Sequence, residues 1–382
     1  MPFRYINNFN EYAKIPSDSI EPACVALLNS SDQLPAMEHV KTIVRDRLKK
    51  VIDKTSKEYV NRENEIEAVV ASLVSGVSSV LLGPPGTAKS AIVRRIASLC
   101  GLNTFDGKYF EYLLTSHTMP EEIFGTIDLN NLVNGKYIRK TDNKLPVAEI
   151  AFLDEVFRGG SHILNTLLTI INEKKYDSGE GMKSVPLLGI VGASNNPPVD
   201  PELEAFYDRF PIRIWLKSIF DEEKYSDTIK TQNQEKLLET SIDNEVRRLE
   251  KAFCEKVETN IDKLINTSEM LSCTNDFRFA KAYLISFLKH NKKAAERRKN
   301  QFISIFKLVR NRCKLSDRSL GQLWLWAAAY DFIKGKNISD CYPNSEGHIE
   351  VYRMVARSSK DVDFLNEYVN RNRDLFRHRE NI

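Results

Sequence analysis

Eight residues, Gly83-Pro84-Pro85-Gly86-Thr87-Ala88-Lys89-Ser90, narrow the folds open to this chain more than any other stretch. They follow the apolar run at 77–82 and precede Ala91-Ile92-Val93-Arg94-Arg95-Ile96-Ala97, whose apolar residues recur at helical spacing. A strand, a glycine-rich loop and a Lys-Ser pair opening a helix form the context of a phosphate-binding P-loop. The loop amides and the helix N-terminus present partial positive charge to a polyphosphate. Lys89 adds a mobile cation for the β- and γ-phosphates, and the Ser90 hydroxyl is a ligand for Mg²⁺. Ala88 stands where such loops usually carry glycine. A methyl group is a small change there only if residue 88 has helical dihedrals, so the site survives if that residue already belongs to the helix turn.

Ile150-Ala151-Phe152-Leu153-Asp154-Glu155 is an apolar run too short for a helix that ends in two acids, and it reads as a buried parallel strand. Carboxylates at the C-terminal end of such a strand lie where open α/β sheets bind ligands. Asp154 there holds Mg²⁺ through water and Glu155 polarises the water that attacks the γ-phosphate; the plainer reading is a cap for the next helix. A third strand at 187–193 runs into Ser194-Asn195-Asn196-Pro197. Asn195 can hydrogen-bond the attacking water or the γ-phosphate, which is compatible with its being a turn signal before prolines. Next come a short helix, 203–210, and an alternating strand, 212–216. Arg209 between them either pairs locally with Asp208 or Glu204, or crosses to a neighbour's γ-phosphate; spacing alone does not choose.

GPPGTAKS, FEYLLTSHTMPEEIFG, AFLDEVFRGGSHILNTLLTIINEKKY, ASNNPP, YDRF and IRIWL, in this order, resemble the MoxR family of AAA+ ATPases, most closely its RavA-type branch, where alanine before the P-loop lysine is ordinary. Leu315-Ser316-Asp317-Arg318-Ser319-Leu320 is similar to the family's sensor 2 segment. The resemblance implies that Lys89 and Ser90 are Walker A, that Asp154 and Glu155 are Walker B, and that Asn195 is sensor 1 with Asn196 beside it. It implies that Arg209 is a trans-acting arginine finger and Arg318 is sensor 2, with Arg278 the competing candidate. Arginine suits both roles because its planar fork stays charged and matches phosphate oxygens.

Two insertions mark the family among AAA+ proteins. Residues 129–138 have strand-like halves around Asn134-Gly135, which signals a hairpin, and residues 175–185 carry Gly179 and Gly181 at a second tip. In ring-shaped relatives such hairpins face the pore or the partner, whereas the plainer reading is two solvated loops.

At 382 residues, with 42% hydrophobic and 28% charged residues, the chain has the composition of an ordinary globular protein with ample core. It lacks an 18-residue apolar run, and Met1-Pro2-Phe3-Arg4-Tyr5 lacks the pattern of a signal peptide, so a soluble cytoplasmic protein is expected. Six cysteines (Cys24, Cys100, Cys254, Cys273, Cys313 and Cys341) form no C-x-x-C pair and read as reduced thiols, leaving nucleotide-bound Mg²⁺ as the only expected metal. A net charge of +3 does not demand a nucleic-acid partner. The basic run from Lys289 to Lys314 has Phe302, Ile305, Phe306 and Val309 at helical spacing, so it reads first as the solvated face of helices and second as a phosphate-backbone contact. Trp324 and Trp326 project about 200° apart on a helix and read as core rather than as one stacking platform.

The expected architecture is an α/β AAA+ core at 56–218, with a five-stranded parallel sheet that the resemblance orders 5-1-4-3-2. A partly helical N-terminal extension at 1–55 precedes it, and a helical lid at 219–345 and a C-terminal helical tail at 346–382 follow. The resemblance implies an ATPase that binds ATP and Mg²⁺ and assembles as a ring, expected to be a hexamer. Its partner would be a client or a von Willebrand A domain protein in chaperone-like remodelling. Two other classes stay open: a nucleic-acid-associated motor or defence-system ATPase, and a nucleotide-gated scaffold with little turnover.

Overall fold

The computed structural model describes residues 34–59, 61–104, 107–217, 274–290, 309–310, 312–336, 350–351, 353–356 and 359–371. Its centre is a five-stranded sheet of β1 (Ser79–Leu82), β2 (Tyr109–Leu113), β5 (Ile150–Asp154), β8 (Gly189–Ser194) and β9 (Ile212–Trp215). The spatial order is β2-β5-β8-β1-β9, and every neighbouring pair is parallel. Numbered within the sheet and read from the other edge, this is the expected 5-1-4-3-2.

Side-chain alternation sends each strand into two apolar layers. Leu81, Ile150, Phe152, Val191, Ala193, Ile212 and Ile214 enter one cluster, while Val80, Leu82, Ala151, Leu153 and Ile190 enter the other. Helices cover both faces because a parallel sheet exposes an apolar surface on each side. On the first face lie α1 (Leu34–Glu58), α2 (Glu63–Ser75) and the P-loop helix α3 (Lys89–Leu99). The second face is closed by α6 (Ser161–Glu173) and the mutually edge-on rings of Phe157, Phe206, Tyr207 and Phe210.

The boundary expected at Thr55 falls inside α1. Val44, Leu48, Val51 and Ile52 bury in the same cluster as α2 and α3, so this helix is continuous with the core. Two later helices join the same face: α8 (Thr274–His290) packs on α1, and α9 (Asp317–Ile333) packs on α2. Trp326 of α9 is fully buried, and its indole N–H donates to Ser72 Oγ at 3.0 Å. Trp324 is half-buried. The last described helix, α10 (Ser359–Arg371), is held by Asp361, which accepts from Arg312 at 2.9 Å.

The first insertion differs from the expected hairpin. The antiparallel pair is β3 (Thr126–Ile127) with β4 (Arg139–Lys140), outside the expected halves, and Leu129–Val133 forms a helical turn, α5. Asp128 causes the change: one carboxylate oxygen accepts from the Asn130 amide at 3.0 Å and the other from the Asn131 side chain at 2.9 Å. That is helix N-capping, and it competes with strand pairing. The second insertion is a hairpin of β6 (Lys175–Asp177) and β7 (Met182–Ser184). Its Gly179 lies so close to the first insertion that a Cβ there would sit 1.5 Å from the Tyr137 carbonyl oxygen. The remaining short helix between β2 and β3 is α4 (Pro120–Phe124), and α7 (Glu204–Tyr207) leads into β9.

Among the described residues, no helix is long and apolar enough to cross a membrane. Cys100 and Cys313 are buried and not joined in a disulfide; the other four cysteines lie outside the described residues. Most of the basic run 289–314 lies outside them as well. Of its described members, Arg312 pairs with Asp361 and Lys314 with Glu204, at 3.5 Å.

Candidate nucleotide site

The P-loop leaves β1 at Gly83 and enters α3 at Lys89. Gly83 is demanded by packing: at φ 153° its missing Cβ would lie 2.2 Å from the Leu216 carbonyl oxygen. The exposed tip, Pro84 to Gly86, is tied back by Thr87, whose hydroxyl donates to the Pro84 carbonyl at 2.9 Å. Ser90 is half-buried in the first turn of α3, which contains no acidic side chain to compete for an anion.

Ala88 corrects the expectation of helical dihedrals. It sits at φ 64° and ψ 23°, the left-handed region, and its carbonyl then accepts from Ile92 N–H at 3.0 Å as the helix begins. The loop must reverse sharply between the exposed tip and α3, and this residue absorbs the reversal. An alanine there is strained by about 1 kcal/mol relative to glycine.

The functional side chains converge at the C-terminal ends of β1, β5 and β8. Lys89 Nζ donates to the carbonyls of Gly83 at 2.7 Å and Pro84 at 2.9 Å, and to Asn195 Oδ1 at 3.2 Å. Asn195 Nδ2 donates in turn to Glu155 Oε1 at 3.0 Å. The orientation of the amide is fixed by its neighbours, since the ammonium only donates and the carboxylate only accepts. Glu155 also pairs with Arg158 at 3.3 Å. Its own backbone is left-handed, φ 49° and ψ 45°, with its N–H donating to Asp154 Oδ1 at 3.0 Å. Burial lowers the pKa of Lys89, and the charges of Asp154 and Glu155 oppose that shift.

Lys89, Asn195, Glu155, Asp154 and Ser90 therefore meet at one edge. Asn196 is exposed beside them, its carbonyl accepting from Ser194 Oγ at 2.8 Å. Arg158 was not singled out from the sequence; its signal is the i,i+3 spacing from Glu155. Arg209 stands elsewhere, just ahead of β9, whose first residue Ile212 is level with Ser79 at the start of β1. Because the P-loop follows the far end of β1, Arg209 and Lys89 lie at opposite ends of the adjacent strands β9 and β1. Arg209 pairs with Asp208 at 3.3 Å, and Glu204 pairs with Lys314 at 3.5 Å.

Arg278 is removed from the phosphate edge. It contacts Glu149 at 3.0 Å and the Pro186 carbonyl at 3.3 Å, both ahead of the strands they lead into. The apolar face of α8 turns it toward the N-terminal strand ends. Residue 318 lies in the first turn of α9, but the Arg318 side chain lies outside the described residues.

Residues 46–259, more than half of the chain, match the family described as "MoxR domain in the MoxR-vWA-beta-propeller ternary systems". An uncharacterized protein of Methanocaldococcus jannaschii is 38% identical over 245 residues, which is 63% of this chain and 63% of that protein. Chaperone MoxR1 of Mycobacterium tuberculosis is 26% identical over 51% of this chain and 49% of its own length. The chain thus spans about half to two-thirds of the length of these curated relatives. A crystal structure of an ATPase candidate from Cytophaga hutchinsonii superposes with a TM-score of 0.57 at 21% identity, over 85% of this chain and 89% of that one, a likeness of fold. The RavA-type placement rests on the motif resemblance alone.

Proposed function

Because the chain belongs to the MoxR family of AAA+ ATPases, we propose that it hydrolyses Mg·ATP at sites shared between subunits of a ring. The observation that carries the reading is the run of contacts from Lys89 through Asn195 to Glu155. It joins a polyphosphate-binding cation to a carboxylate base through one amide.

In this reading, the loop amides and Lys89 hold the phosphates, Lys89 exchanging loop carbonyls for phosphate oxygens. Glu155 accepts a proton from the attacking water, and Asn195 orients that water while sensing the γ-phosphate. The donors suit Mg²⁺: Ser90 and Asp154 offer hard oxygens, and no group of three His, Cys, Asp or Glu residues among the described residues could cage a metal without phosphate oxygens. When bound, Mg²⁺ neutralises phosphate charge. Arg209 precedes β9 at the strand ends away from its own P-loop, so its contribution to transition-state charge would be made across an interface.

The ring, expected to be hexameric, and a von Willebrand A domain partner belong to the same proposal. The partner is supported by the description of the matched family, and chaperone-like remodelling by the likeness to a chaperone. Glu155→Gln is expected to bind ATP within about threefold of wild type and to lose at least roughly a hundredfold in turnover. Equilibrium binding and steady-state phosphate release measure the two effects. Unchanged turnover would remove Glu155 from the chemistry, and wild-type protein without turnover would favour a nucleotide-gated scaffold.

A further inference from the structure

Asp208 serves two masters with its two oxygens. Oδ2 pairs with Arg209 Nη1 at 3.3 Å, while Oδ1 accepts from the Ser316 backbone N–H at 3.0 Å and from Ser319 Oγ at 3.4 Å. Ser316 and Ser319 open α9, and Ser316 makes no side-chain cap of its own. A residue more than a hundred positions away therefore supplies an acceptor that the Ser316 side chain does not, and adds its negative charge to an N-terminal turn whose first residue is itself Asp317. The carboxylate is largely shielded, with 14% of its side chain exposed against 19% for Arg209, so both interactions escape most solvent screening.

The surroundings make the link stiff. Arg213, 1% exposed, stacks on Tyr207 at 4.1 Å and donates to the carbonyls of Phe210, Cys313 and Val355 at 3.3, 3.0 and 3.2 Å. The segment that bears Arg209 and the segment that enters α9 are thus fastened on both sides of Asp208.

We propose that Asp208 is a positioning residue that ties the interfacial arginine to α9, the helix that carries Arg318. The proposal rests on the reading of Arg209 as an interfacial group. When Arg209 turns to a neighbour's phosphate, Asp208 loses its guanidinium and its charge falls wholly to the first turn of α9. ATP bound by one subunit is thereby felt at the lid-side helix of the next.

The test uses the full chain. Asp208→Ala removes both links; Asp208→Asn keeps an oxygen for Ser316 N–H but no charge for Arg209. Asp208→Ala should lower kcat by roughly tenfold to a hundredfold with KM for ATP within about threefold. It should also speed amide exchange of residues 316–320 by about fivefold. Asp208→Asn should restore slow exchange without restoring kcat. In a Glu155→Gln background, ATP should change exchange of that turn, and adding Asp208→Ala should abolish the change. An ATP-dependent change that survives Asp208→Ala, or an unaltered kcat, overturns the tie. If Arg209→Ala is itself fully active, the interfacial reading falls and the tie with it. If Arg209→Ala is dead while Asp208→Ala is normal, only the tie falls.

Discussion

Ala88 is held in a conformation that glycine adopts without steric cost, at the point where the P-loop turns into α3. Ala88→Gly relieves the Cβ strain but adds backbone freedom to the unfolded chain, and the first effect is the larger in the left-handed region. The variant is therefore expected to gain about 0.5 kcal/mol in urea unfolding. A loss of stability would mean that the loop does not carry the strain. The departure at residue 88 was legible in the sequence; its dihedrals were not, because a missing glycine does not say where the chain reverses. Lys89, Glu155 and Asn195 were legible one by one from strand ends and polar residues. Their connection through a single amide depends on strand order, which brings β8 between β1 and β5.

At the scale of elements, α6 closes with Lys174 in the left-handed region, φ 53°, beside Lys281 of α8. Its stem is partly exposed, yet its ammonium nitrogen is shielded and has no hydrogen-bond partner among the described residues. Burial, with the Lys281 charge adding to it, lowers the Lys174 pKa from 10.5 to about 7. Between those values the unfolded chain binds one more proton than the folded one, so stability rises with pH across the window. The penalty is fully present below it. Lys174→Met is expected to stabilise the protein by about 2 kcal/mol at neutral pH, an advantage that shrinks toward about pH 10. Urea unfolding at both pH values checks this, and an advantage independent of pH would contradict it. The core strands were legible because their alternation or apolar continuity is short-range. The helical turn α5 was not, since Asp128 capping outweighs an Asn-Gly hairpin signal. Nor was the direction of Arg278, which depends on the face of α8 that meets α1 and α2.

For the whole molecule, the parallel sheet sets the function-bearing edges apart. Every strand that carries a phosphate-site residue ends at one edge, and Arg209 precedes a strand at the other. In the proposed head-to-tail ring, Glu155 and Arg209 at opposite ends of the strands would face different neighbours. The motif order made the fold and the family legible in the sequence. The position of Arg209 at the strand ends away from the P-loop was not, because it turns on strand order and direction. The most direct measurement is steady-state ATPase activity of Arg209→Ala and Glu155→Gln, separately and co-expressed one to one. Shared sites predict that each alone is at least roughly a hundredfold slower than wild type. The mixture should then recover toward roughly a quarter of the wild-type rate, since random pairing joins an intact Glu155 to an intact Arg209 at about one interface in four. Full activity of Arg209→Ala alone, or a co-assembled mixture as inactive as its components, would contradict the account.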